Sequence, residues 1–223
     1  SKNICQILMQ SLVLSAEQAQ NILSKEKKVI QVLKKQRPKR LGPPDFIDVI
    51  LYLKIERDDA PSKRIDEDLI YELLAQNWQI PYKKIDPLKL ELSTVTGTIP
   101  KSFALKHLLL PLAVEEGKLI VATPNPFNLE AIQDVERVAN LRVKTVISAK
   151  TDIINLINEF FGFRSSIDAA EDLFSQKGVD IGNLERYTSL GSADDPPSTD
   201  QHIVNAVNHI FTYSFDQRAS DIH

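Results

Sequence analysis

The chain has 223 residues, 43% hydrophobic and 26% charged, with a formal net charge of −3. That is enough polypeptide for one large or two small soluble domains, and the near-neutral balance excludes a global pull toward nucleic acid. The lone Cys5 excludes an internal disulfide and fits a reducing compartment; no apolar run approaches the roughly 18–20 residues of a membrane span, so the expected location is the cytoplasm.

Residues 3–36 read as helical. Ile4, Ile7, Leu8 and Leu12 recur at helical spacing, and Ser15-Ala16-Glu17-Gln18 has the form of a capping box opening a second helix. That helix is expected to bury Ala19, Ile22, Leu23, Val29, Ile30 and Leu33. Its far end is basic, with eight Lys or Arg in residues 25–40 against Glu26 alone. The simplest reading is a solvated face whose cations favour a helix C-terminus. The other is a surface that steers an acidic partner or an anionic membrane.

Pro38, Pro43 and Pro44 interrupt the helix, which resumes over residues 46–53. A polar loop at 56–63 leads to Asp66, placed to cap a helix that carries Leu69, Ile70, Leu73 and Leu74 and ends near Gln76. Both stretches follow one plan of apolar helix, apolar link, acidic cap and second helix. This weak internal repeat predicts two helix pairs sharing a core in a helical subdomain, residues 1–78. Ile47, Ile50 and Leu51 suffice to pack inward. Phe46, Leu53 and Ile55, beside the charged loop 56–64, are therefore candidates for a partner surface, or else complete the core between the repeats. Trp78 reads as a packing residue.

Residues 79–163 read as a small α/β domain. After a crossing at 80–92, Pro100 suits the first turn of a short helix at 101–107. Two β-branched runs, 108–114 and 118–123, joined at Glu116-Gly117, predict a hairpin. Both parities of the second run are apolar, which marks a central strand covered on both faces. Asn128 can cap a helix carrying Leu129, Ile132, Val135 and Val138. A third strand follows at 141–147. Ser148 can cap a last helix with Ile153, Ile154, Ile157, Phe160 and Phe161 inward, stopped at Gly162. The order is β-β-α-β-α, and the fold class is mixed α/β (α+β) with a helical N-terminal half. Residues 164–198 read as a linker with one possible helix, and 199–223 as the start of a further domain.

The chemistry is sparse. The seven glycines, at 42, 97, 117, 162, 178, 182 and 191, form no Gly-x-x-x-x-Gly-Lys-Ser/Thr loop and no Gly-x-Gly-x-x-Gly. The four histidines, at 107, 202, 209 and 223, have no metal-ligand spacing, and Cys5 stands alone. The acidic pairs Asp58-Asp59 and Asp194-Asp195 fall in loops without apolar shelter, so nothing raises a carboxyl pKa toward acid/base work. The expectation is a docking or sensing module without catalytic residues, a metal or a bound cofactor.

Two stretches resemble a known family. Leu110-Pro111-Leu112 and Leu119 to Pro126 (Leu-Ile-Val-Ala-Thr-Pro-Asn-Pro), with the helix, strand and Ile154-x-x-Ile157 helix that follow, resemble the N-terminal domain of type II secretion and type IV pilus assembly ATPases, an MshEN-like domain. The tail, from Pro196-Pro197 through Ile203-Val204-Asn205 to Arg218-Ala219-Ser220-Asp221-Ile222-His223, is similar to the entry into the motor region of those ATPases. The resemblance implies an N-terminal piece of a hexameric motor whose ATP and Mg sites lie downstream. It would dock that motor on the inner-membrane platform protein of a secretion or pilus system, at the cytoplasmic face. In one branch of the family the helical repeats bind cyclic di-GMP. Arg40, Leu41 and Gly42 match the opening of that ligand motif here and Gln76 its end. Pro43-Pro44 follow at once, however, and the medial Gly is missing. The docking reading therefore leads, with cyclic di-GMP sensing and a stand-alone adaptor as alternatives.

Overall fold

The computed structural model describes residues 1–36, 38 and 42–176, with side chains to residue 168, and the single residues 207, 211 and 221. Of the linker expected at 164–198, residues 164–176 are helical and the rest lies outside the described residues, as does the helix expected after 198 apart from Val207 and Phe211. Residues Ser1–Asn158 form one compact unit and Glu159–His223 a second.

Two helix pairs come first. Helices α1 (Lys2–Gln10) and α2 (Ala16–Gln36) are followed by α3 (Phe46–Leu53) and α4 (Glu67–Trp78). The capping box forms as the sequence predicts: Gln18 N–H donates to Ser15 Oγ at 3.2 Å, and Ser15 N–H to Gln18 Oε1 at 2.9 Å. Asp66 caps α4 by accepting from Leu69 N–H at 2.8 Å. A shared core contains Cys5, Leu8, Ile22, Val29, Val49, Ile50, Ile70 and Leu74. Leu23, Ile30 and Leu33 pack against it half-buried. The loop between α3 and α4 is more ordered than its polarity suggests. Arg57 N–H bonds Lys63 O at 2.8 Å and Ile65 N–H bonds Ile55 O at 2.9 Å, closing a short ribbon. Asp58 N–H then reaches Val13 O at 3.0 Å, joining the turns of the two pairs.

The β-β-α-β-α order is present. Strands β1 (Leu110–Glu115) and β2 (Lys118–Thr123) pair antiparallel, helix α7 (Leu129–Ala139) follows, and β3 (Arg142–Ile147) returns parallel to β2. The sheet order β1-β2-β3 puts β2 in the centre, as its two apolar faces require. Glu116 (φ 50°) and Gly117 (φ 73°) both take positive φ, the requirement of a tight hairpin turn. Pro111, which has no N–H to give a ladder, lies on edge strand β1 where the register shifts by a bulge. Leading into the sheet are a 3-10 turn at Pro87–Lys89 and the helices α5 (Leu92–Gly97) and α6 (Lys101–His107).

Several details differ from the sequence reading. Asn128 stands at the N-cap of α7 but makes no side-chain cap bond; its amide nitrogen lies 3.1 Å from His107 Nδ1 instead. Helix α5 was not expected, because Thr94, Val95, Thr96 and Gly97 are weak helix formers; the burial of Val95 holds it, while the Thr96 and Thr98 hydroxyls find partners in carbonyls four residues back. Ser148 does not cap the last helix. Its hydroxyl donates to Lys83 O at 2.6 Å, tying residues 81–83 to the end of β3. Gly162 does not stop that helix either. Helix α8 runs Lys150–Gln176, and Gly162 lacks the positive φ that a glycine stop needs.

Candidate functional site

A dense polar cluster among the described residues gathers where α3 and α4 begin and α8 starts. Asp45 caps α3 in a reciprocal box: Asp48 N–H donates to Asp45 Oδ1 at 3.1 Å and Asp45 N–H to Asp48 Oδ2 at 2.9 Å. Into this box comes the ammonium of Lys150, whose side chain is only 6% exposed. Lys150 Nζ donates to Asp45 Oδ2 at 2.7 Å, Asp48 Oδ2 at 3.1 Å and Pro43 O at 3.2 Å. Three acceptors match the three hydrogens of an ammonium, so a charge costly to bury is fully satisfied.

The neighbouring residue on α8 is held from α4. Thr151 N–H donates to Glu67 Oε1 at 3.1 Å, so this carboxylate serves the start of a helix distant in sequence. Burial pushes the Glu67 carboxyl above its ordinary range, although the bonds from Thr151 act the other way. Beside it Lys84 Nζ bridges Asp68 Oδ2 at 2.8 Å and Asp152 Oδ2 at 2.7 Å, and Tyr82 Oη donates to Asp68 Oδ1 at 2.7 Å. Burial alone would raise the Asp68 carboxyl, but the bonds from Lys84 and Tyr82 outweigh it and hold the group below the usual carboxylate range. Desolvation, then donation to Asp68, raises the Tyr82 phenol. The cluster ties α3, α4 and the segment at 82–84 to the start of α8.

The residues singled out from the sequence fall elsewhere. Phe46 is a core residue, 7% exposed, and is corrected from a partner surface to the packing between the repeats. Leu53 and Ile55 are half-buried and pack against that same core. The large apolar side chains exposed at this end, among the described residues, are Tyr52, at 45%, and Leu12, at 70%. Arg40 and Leu41 lie outside the described residues. Gly42 is exposed at φ +66° with open space around its Cα, which admits a close approach to its backbone. Gln76 is exposed near the end of α4, about 13 Å along the helix from Glu67 at 1.5 Å per residue. Sequence reasoning missed Lys150, Asp45 and Glu67. Only Asp45-x-x-Asp48 ahead of an apolar run carried a signal, that of a capping box.

Two further features complete the inventory. An open polar cavity of about 560 Å³ is lined by Gln133, Glu136, Arg137, Asn140, Leu141 and Arg142. Trp78 packs edge-on against the exposed Phe127, ring centroids 5.2 Å apart. Among the described residues no group of three or more His, Cys, Asp or Glu could hold a metal ion, and no helix is long and apolar enough to cross a membrane.

The stretch 78–167, which holds the sheet and the cluster's α8 side, matches the family model of the MshEN domain. Over 71–91% of its length the chain is similar to type IV pilus assembly ATPases. It is 24% identical over 203 residues to TfpB of Acinetobacter baylyi, covering 91% of this chain and 34% of that protein. It is 27% identical over 164 residues to PilB of Myxococcus xanthus, covering 71% and 28%, and 26% identical over 165 residues to PilB of Pseudomonas aeruginosa, covering 73% and 28%. The chain thus spans about a third of the length of these relatives. Among solved structures it is similar to MshE with cdg, at 16% identity and TM-score 0.49 over 70% of this chain and 97% of that one. It is also similar to the N-terminal domain of XpsE, at 16% identity and TM-score 0.41 over 70% and 91%.

Proposed function

We propose that this chain is the N-terminal docking and regulatory region of a hexameric ATPase of type IV pilus assembly or type II secretion, and that it positions the motor on an inner-membrane platform protein at the cytoplasmic face. One observation carries this reading. The chain is similar to pilus assembly ATPases over about a third of their length, yet its own 223 residues contain no phosphate-binding loop. ATP and Mg then belong to a motor outside this sequence, and this region hydrolyses nothing. The turn end of the helix pairs supports the docking role, because Leu12 and Tyr52 present apolar surface there beside the charged ribbon 56–64.

The test is a pull-down from source membranes with this chain as bait, run beside an ATP turnover assay. The expected result is capture of the platform protein by the wild type, loss of capture in Tyr52→Asp at an unchanged melting midpoint, and no turnover. Sustained hydrolysis by purified chain would sink the non-catalytic reading, and capture indifferent to Tyr52 would sink the docking surface. Cyclic di-GMP sensing ranks second, favoured by the open backbone at Gly42. Against a tight site, the turns after α1 and α3 carry Leu12 (φ 58°) and Lys54 (φ 49°) and no glycine, so they offer no bare backbone for a phosphate to approach.

A further inference from the structure

Helix α2 carries a charge arrangement that neither the fold nor the docking role uses. Its buried side is fixed by Ala19, Ile22 and Val29, so the opposite face cannot turn inward. At 100° per residue Lys27, Lys28, Gln31, Lys34 and Lys35 share that outer face, spaced i, i+1, i+4, i+7 and i+8. All four lysines are exposed, and no ion pair reaches any of them among the described residues. The only acidic residue between residues 18 and 36, Glu26, lies off this face and accepts from Ser1 Oγ at 2.6 Å. The helix dipole accounts for Lys34 and Lys35 in the last turn. It does not account for Lys27 and Lys28 two turns earlier, since that field fades within one turn.

We propose that this stripe, roughly 12 Å long at 1.5 Å per residue, is a direct contact site for anionic lipid headgroups. Three properties select that partner. The face is a convex helix surface and not a cavity, which suits a planar array of charges better than one small anion. Every cation is a lysine, a flexible point charge without the fork that reads bases, and no aromatic side chain interleaves them for base stacking. The chain as a whole carries −3, so a polyanion wrapping it would meet repulsion beyond the stripe, whereas a bilayer touches one face only. The proposal rests on the docking reading only for the nearness of a membrane; the lipid contact needs no platform protein.

The test uses the full chain with vesicles that contain no protein. Cosedimentation is measured with vesicles of phosphatidylcholine alone and of phosphatidylcholine with phosphatidylglycerol. Binding is expected to the anionic vesicles only, weakening as salt shortens the Debye length from about 30 Å at 0.01 M to about 8 Å at 0.15 M. Each Lys→Gln change on the stripe should weaken binding about fivefold, the equivalent of about 1 kcal/mol per basic residue. The quadruple variant at Lys27, Lys28, Lys34 and Lys35 should lose binding and keep its melting midpoint. A matched quadruple at the exposed Lys63, Lys101, Lys106 and Lys144 should bind as the wild type does. Equal binding to neutral vesicles, retention by the stripe variant, or equal loss in the matched variant overturns the assignment. So does binding of duplex DNA through the same lysines with vesicles ignored. Capture of the platform protein by the stripe variant, measured separately, reports on docking alone.

Discussion

Lys150 shows how a single buried charge can organise three elements. Its ammonium holds Pro43 O, Asp45 and Asp48 to the first turn of α8, and Asp48 is only 12% exposed in its side chain. A buried pair of this kind adds little net stability compared with a well-packed apolar substitute, yet breaking one side of it is costly. Lys150→Met is therefore expected to destabilise the first unit by about 3 kcal/mol, since it leaves two carboxylates facing each other without the cation. At roughly 2–4 °C per kcal/mol for a domain of this size, the melting midpoint should fall by about 6–12 °C. Adding Asp48→Asn to Lys150→Met should recover part of that loss by removing one charge. A double variant no more stable than the single one would show that the ammonium acts through packing of its stem and not through its charge. Apart from the capping-box spacing of Asp45 and Asp48, none of this was legible beforehand. A lysine at the start of a helix reads as a surface residue, and only the return of β3 beside the helix pairs brings residue 150 to residue 45.

At the scale of elements, periodicity and turn chemistry were good guides where one face of an element had to be buried. Phe46–Leu53 and Lys101–His107 lie where apolar spacing and Pro100 place them, and Leu119, Ile120, Val121 and Ala122, all buried, identify β2 as central. Reading failed where a weak local signal was taken as decisive. Gly162 looked like a stop, but a glycine inside a helix costs only about 1 kcal/mol relative to alanine, and the Arg164–Asp168 pair at 2.8 Å supports the following turn. The helix ends also show strain that sequence could not reveal. Lys54, Gln79, Leu108 and Asn140 close α3, α4, α6 and α7 in the left-handed region, where glycine is the least strained residue. Lys54 is the clearest case for a test, being exposed with φ 49° and ψ 46°. Lys54→Gly should raise stability by up to about 1 kcal/mol, since relief of the left-handed strain exceeds the added freedom of the unfolded chain. A lower midpoint in urea for that variant would mean that the lysine stem makes packing contributions larger than the strain.

For the molecule as a whole, the helix pairs and the sheet share one unit from Ser1 to Asn158, although the sequence suggested a boundary near residue 78. The core cluster of the helix pairs extends to Ile147 at the end of β3 and Ala149 ahead of α8, with Trp78, Ile80 and Tyr82 packed against it. Lys83 N–H and Ile147 N–H bond Ile147 O and Pro81 O, both at 2.8 Å, so the segment after α4 meets the end of β3 in a single parallel bridge at Tyr82. Polar contacts run the same way through Lys150 and Glu67. Opening the helix pairs alone would uncover apolar core and separate buried charges at one stroke, so the two halves are expected to unfold together. Native-state hydrogen exchange on the full chain can measure this directly. The amides of Val49 and Ile50 in α3 and of Ile120 and Val121 in β2 should open with the same free energy, and Lys150→Met should lower all four by the same amount. If α3 exchanges through a smaller opening that leaves β2 protected, the helix pairs are a separate cooperative unit and the boundary near residue 78 is real in the energetics.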